Sequence, residues 1–196
     1  MNDTFLETIK AVDGEISHLS DPHHRYERVL KSLNVSNFKS LNKYLNPPKI
    51  GLYRCRLTYD SKNIEVSYYK YKKREINSLK LIYDDKISYS KKTSNRDAID
   101  KLFDMKEACD DILIIKDNLV CDTSIANVAF YSDGLWFTPL KPLLKGTTRQ
   151  RLLDNKIIIE KDIRVEEIEN YSKMALMNAM IDFDIITKYN LKDIFC

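Results

Sequence analysis

Asn118-Leu-Val-Cys-Asp-Thr-Ser-Ile-Ala-Asn-Val-Ala-Phe130, then Ser132-Asp-Gly134, then Leu135-Trp-Phe-Thr138 is the stretch that decides the fold class. Its apolar and β-branched residues read as a strand running through Phe130, and Asp133-Gly134 reads as a tight turn into a returning strand. Upstream, Asp111-Ile-Leu-Ile-Ile-Lys116 is another strand, turned by Asp117-Asn118. Hairpins outnumber β-α-β units, which argues for an α+β class over a doubly wound sheet.

Downstream, Gly146-Thr-Thr148 leads into a helix over Arg149–Leu153, and Ile157–Ile163 is a strand. Val165–Tyr171 reads as a short helix, whereas the apolar run Met174–Ile185 fits a helix or a strand equally, because no period dominates. Upstream, residues 5–19 read as a hairpin turned at Asp13-Gly14, and Ser20-Asp-Pro22 opens a helix carrying Tyr26, Val29, Leu30 and Leu33. A second short helix is expected over Asn37–Leu45, ended by Asn46-Pro-Pro48. Three strands follow at Leu52–Tyr59, Ile64–Tyr71 and Leu79–Tyr83, and a helix spans Arg96–Ala108. The order suggests a small α+β domain over 1–85 and a larger α+β domain over 86–196.

Composition narrows the class. A chain of 196 residues with 43% hydrophobic residues can bury a core, and four Gly and five Pro exclude a fibrous repeat. The formal charge of +3 arises from near balance, 32 basic against 29 acidic residues, so neither nucleic acid nor a membrane surface is expected as partner. No apolar run approaches the ~20 residues of a membrane span, and the first residues, Met1-Asn-Asp-Thr-Phe-Leu-Glu7, lack the apolar stretch of an export signal. The four cysteines show no C-x-x-C spacing and the three histidines (His18, His23, His24) complete no zinc site, so reduced thiols in the cytoplasm and no metal are expected.

Three groups at separate places combine into one chemistry. Lys92 is an amine that burial could make nucleophilic toward an aldehyde. Asp122 lies among apolar strand residues, where a carboxylate can face a ring nitrogen and keep it protonated. Gly146-Thr147-Thr148 stands at a helix start, where backbone N–H groups bind phosphate. An aldehyde, a ring nitrogen and a phosphate together describe pyridoxal phosphate.

These segments resemble the fold-type IV pyridoxal-phosphate enzymes, the family of class IV aminotransferases and 4-amino-4-deoxychorismate lyases. Lys92-Thr-Ser-Asn-Arg96 is similar to the lyases' Lys-x-x-Asn-Arg segment. Asp122–Asn127 with the following hydrophobic run, the hairpin and Thr138-Pro139 is similar to the family's Glu-(x)4-Asn run and its Thr-Pro. Leu144-Lys-Gly-Thr-Thr-Arg149 is similar to the phosphate loop Gly-Ile-Thr-Arg. The resemblance implies a shortened two-domain fold and a homodimer with its active site at the domain junction. It makes Lys92 the Schiff-base and proton-shuttling lysine. Asp122 takes the glutamate's place one methylene short, Gly146, Thr147 and Thr148 form the phosphate loop, and Asn178 is a second phosphate contact. Arg25 matches the N-terminal phosphate arginine, with Arg28 the alternative and Pro22 where the family has His. Arg54 and Arg56, at i and i+2 on one strand face, suit a substrate carboxylate.

Three functions remain open on this reading. One is a lyase releasing pyruvate and 4-aminobenzoate for folate synthesis, which the Lys-x-x-Asn-Arg segment favours. Another is an amino-acid aminotransferase of branched-chain or D-amino acid type. The third is a non-catalytic dimeric relative, suggested by the short chain and the Asp122 departure.

Overall fold

A computed structural model describes residues 4–196. The part of the export-signal reading that rests on 1–3 lies outside them. Contacts divide the chain into two units: residues up to Lys73 together with Lys91–Asn95, and Arg74–Ser90 together with Arg96–Cys196.

The first unit is built on a sheet of order β2-β1-β3-β4, with β1 Phe5–Val12, β2 Glu15–Ile16, β3 Leu52–Tyr59 and β4 Ile64–Lys70. Strand alternation buries Phe5, Glu7, Ile9 and Ala11 and leaves the residues between them half-buried. The β1–β2 turn uses positive φ at Asp13 and Gly14, the conformation that makes Asp-Gly a hairpin signal. Helix α1, Ser20–Ser32, buries Pro22, Arg25, Tyr26 and Leu30 at helical spacing. Tyr26 and Leu30 share a core with Phe5, Ile9, Leu57 and Tyr59. The helix expected over Asn37–Leu45 shrinks to a single 3-10 turn, Leu41–Tyr44, with Leu41 alone buried.

The second unit holds a strand path β10-β9-β8-β7-β6-β5, to which β11 and β12 attach through β8. Its ranges are β5 Leu79–Tyr83, β6 Asp111–Lys116, β7 Leu119–Thr123, β8 Asn127–Ser132, β9 Leu135–Pro139, β10 Ile158–Lys161, β11 Lys173–Asn178 and β12 Asp182–Ile185. The helices are α2 Asp97–Phe103 and α3 Thr147–Asp154. Strand β5 runs parallel to β6. That pairing draws residues 74–85 into this unit, so the contact boundary falls at Lys73/Arg74 and not at 85. The remaining joins are mostly antiparallel, and the class is α+β.

Two local expectations change. The strand expected through Phe130 is two strands, because Thr123 folds the chain back: its Oγ1 accepts from Ala126 N at 3.0 Å, and its own N–H donates to Ala126 O at 2.9 Å. The undecided run Met174–Ile185 is the β11–β12 hairpin. Met174–Met177 are all buried, so alternation was erased by burial on both faces. A bond also joins Cys109 to Cys196, whose Cα atoms are 6.4 Å apart, in place of two of the four expected thiols. The chain end returns there because Cys196 N donates to Leu79 O at 3.2 Å. Among the described residues no helix is long and apolar enough to cross a membrane.

Candidate functional site

Asp122 sits on β7 with its side chain buried. Asn127 Nδ2 donates to its Oδ1 at 2.6 Å, and the backbone N–H of Leu144 donates to its Oδ2 at 2.9 Å. Burial pushes the carboxyl up to about 6. The Leu144 amide, Asn127, the Arg149 guanidinium and the Leu143 amide pull it back toward the ionised form. At neutral pH the group is therefore a buried carboxylate held by fixed donors. An ionised carboxyl offers about four acceptor positions, so two bonds leave it able to accept from a ring N–H.

The same loop leads into α3. Gly146 is its N-cap, and no side chain caps the first amides. A helix start of this kind presents unsatisfied N–H groups and the positive end of the dipole, which together favour an anion. A Cβ at position 146 would land on Asn127 Oδ1, so only glycine lets the loop lie this close. Thr147 is half-buried and Thr148 buried. Asp122, Gly146, Thr147 and Thr148 are thus brought together by the 144–146 loop.

Arg149, 1% exposed, anchors this helix start. Its guanidinium donates to Pro139 O at 2.7 Å, to Glu160 Oε1 at 2.8 Å and to Thr138 Oγ1 at 3.3 Å, and Thr138 in turn donates to Val128 O at 2.8 Å. The Thr138-Pro139 pair and Arg149 thereby fasten α3 to β8, β9 and β10. Arg96 Nη2 donates to Ser124 O at 2.9 Å, and Asn178 Nδ2 to Ile125 O at 3.2 Å, so both carbonyls of the turn after Asp122 are held. Asn178 Oδ1 also accepts from Met180 N at 2.9 Å and Ile181 N at 3.1 Å, closing the β11–β12 turn. Its amide serves the frame around Asp122.

In the first unit the predicted residues lie on two faces of one sheet. Arg25 is buried on the α1 side, where its guanidinium pairs with Glu7 of β1 through Nη2 and through Nε at 2.8 Å. Burial and the neighbouring Glu7 charge raise the Tyr59 hydroxyl pKa. Arg54 and Arg56 point to the opposite face: Arg54 is exposed and stacks over Tyr69, and Arg56 has its Nε buried without a hydrogen-bond partner. Lys92 is half-buried on a segment stitched to β1, with Leu6 N donating to Lys92 O and Ser94 N to Thr4 O, each at 2.8 Å. The Ser94 hydroxyl is likewise buried with no partner. Arg28 is exposed on α1 and outside its buried set.

Asn127, Arg149 and Arg96 escaped individual assignment, although all three stood in the quoted motifs. Their signal was position: Arg149 directly follows Thr148, Arg96 lies four residues after Lys92 and Asn127 five after Asp122.

The buried acid, the uncapped helix start and the glycine-only approach fit a phosphate-bearing pyridine cofactor. The family model "Amino-transferase class IV" matches residues 61–189. An uncharacterized protein of Haemophilus influenzae is 35% identical over 181 residues, spanning 89% of this chain and 96% of its own. The crystal structure of a "putative 4-amino-4-deoxychorismate lyase" from Haemophilus somnus is similar at TM-score 0.82 and 33% identity, covering 92% of this chain and 97% of that one. A hypothetical aminotransferase from Mycobacterium tuberculosis, in its PLP-bound form, shares the fold at TM-score 0.79 and 15% identity, covering 94% and 80%.

Proposed function

This chain belongs to the class IV aminotransferase family of fold-type IV enzymes, and on that premise we propose that it is a pyridoxal-phosphate-dependent 4-amino-4-deoxychorismate lyase. The observation that carries the cofactor assignment is the buried Asp122 carboxylate tied through Leu144 to the loop that opens α3. The lyase reading is supported by the likeness to the Haemophilus somnus protein at 33% identity and by the Lys-x-x-Asn-Arg segment at 92–96.

The residues take these roles. Lys92 would supply the amine for the cofactor aldehyde and, once the substrate amine displaces it, would take the proton from the substrate carbon that bears the amino group. Asp122 holds a proton on the ring nitrogen. Gly146, Thr147 and Thr148 offer N–H and hydroxyl donors to the phosphate, while Arg25 pairs with Glu7 beneath α1. Asn178 holds the turn beside Asp122 and is a second phosphate-side residue. Arg54 and Arg56 bind substrate carboxylate, and the orphaned Arg56 Nε is a donor for it. When bound, pyridoxal phosphate supplies an electron sink for the electron pair left on the deprotonated carbon. Departure of pyruvate from the same substrate leaves 4-aminobenzoate. The working form in this proposal is a homodimer in the cytoplasm.

The second reading is an amino-acid aminotransferase, favoured by the fold shared with the Mycobacterium tuberculosis protein. Purified, cofactor-loaded protein is assayed for 4-aminobenzoate release and for amino transfer to 2-oxoglutarate. Release without transfer supports the lyase, transfer without release supports the aminotransferase, and the absence of both leaves a non-catalytic relative.

A further inference from the structure

Asp122 is held by a side chain that also holds the phosphate loop. Asn127 donates through Nδ2 to Asp122 Oδ1 at 2.6 Å and to Leu144 O at 2.8 Å. Leu144 closes the ring by donating its own N–H to Asp122 Oδ2 at 2.9 Å. The other end of the Asn127 amide, Oδ1, occupies the space that a Cβ at Gly146 would need. Asp122 opposite Asn127 is also the register pair that joins β7 to β8.

We propose that Asn127 is a positioning residue that fixes the spacing between the ring-nitrogen acid and the phosphate cup, so that the two ends of one cofactor are bound as a coupled unit. This rests on the cofactor reading above. Chemistry selects asparagine here. Only a side chain with two N–H donors on one nitrogen serves a carboxylate and a carbonyl together. Aspartate at 127 would set a second carboxylate against the first. Leucine would strip a donor from Asp122 and from Leu144 O, leaving buried acceptors unmade.

The groups facing Asp122 are few: Asn127 on β8, the Leu143 and Leu144 amides, the Arg149 guanidinium on α3 and the Cys121 thiol beside it on β7. Asn127 is among those that favour the charged form, so its removal raises the pH at which Asp122 takes up a proton.

The test uses the full chain with Asn127→Ala, and Asn127→Ser as a smaller variant that keeps one donor. Carbon-13 NMR follows the Asp122 carboxyl titration in cofactor-free protein, and absorbance titration gives the affinity for pyridoxal phosphate. The expected result is a higher Asp122 midpoint in Asn127→Ala, with affinity weakened by about tenfold or more and partial recovery of both in Asn127→Ser. An Asn127→Ala protein that folds, melts lower, and yet titrates and binds as wild type overturns the proposal. Where Asn127→Ala does not fold, Asn127→Ser carries the same two measurements. Wild-type protein that binds no pyridoxal phosphate refutes the cofactor reading, and the Asp122 titration still decides whether Asn127 holds the acid.

Discussion

Replacing Asp122 by Asn should change how stability depends on pH, by an amount set by burial. The folded carboxyl titrates at about 6, against an ordinary 3.8, so the native state binds this proton more tightly than the unfolded chain does. Its stabilising contribution is full below 3.8 and is lost as pH rises through about 6. At about 1.4 kcal/mol per pH unit, the gap between 3.8 and about 6 corresponds to about 3 kcal/mol. Wild-type protein therefore carries a buried charge at neutral pH that it does not carry in acid. Asparagine does not titrate. It keeps one acceptor where the carboxylate served two donors, Asn127 Nδ2 and Leu144 N, so Asp122→Asn also carries a pH-independent cost of about 1–3 kcal/mol. Urea unfolding of both cofactor-free proteins across this range should show Asp122→Asn less stable than wild type in acid, and between equal to it and about 2 kcal/mol more stable at neutral pH. The difference between them should shift by about 3 kcal/mol. Parallel curves would refute the placement of Asp122 as a buried acid.

Gly146→Ala should cost about 1–3 kcal/mol by overpacking against Asn127, and should weaken pyridoxal-phosphate binding; thermal melts and absorbance titration check both. Glu7→Gln removes the carboxylate from a buried Arg25 and should lower stability by about 3–5 kcal/mol, and an unchanged urea midpoint would mean the pair is not buried in solution. Reductant should open Cys109–Cys196 and lower stability by up to about 4–5 kcal/mol, the loop-entropy bound for residues 87 apart, with intact mass showing the gain of two hydrogens. A protein whose mass is already that of free thiols, and whose melt ignores reductant, would restore the expectation of reduced cysteines.

The legible features were those written locally. Asp13-Gly14 announced its hairpin because its turn needs positive φ, and α1 announced itself by spacing that buries Tyr26 and Leu30. The family was legible because Lys92, Asp122 and Gly146-Thr-Thr148 stand in order within recognisable motifs. Features made by tertiary contact were hidden. β11 is buried along Met174–Met177 and so lost its period. β5 looked like a third strand of the first domain because nothing in Leu79–Tyr83 names β6 as its parallel partner. The reversal at 124–126 depends on Thr123 bonding to Ala126, and its polar residues read equally well as part of a strand. Asn127 was visible as a motif letter, but its role needs the Leu144 loop folded onto it.

Lys92 as the amine that takes up pyridoxal phosphate is open to a direct labelling test. Purified protein is titrated with the cofactor, its visible absorbance recorded, and the mixture then reduced with borohydride and digested for peptide mass mapping. The expected result is a visible band that borohydride abolishes, a reduced cofactor attached at Lys92 and not at Lys91, and no band in Lys92→Ala. Protein that stays colourless, or carries the label on another lysine, would contradict it.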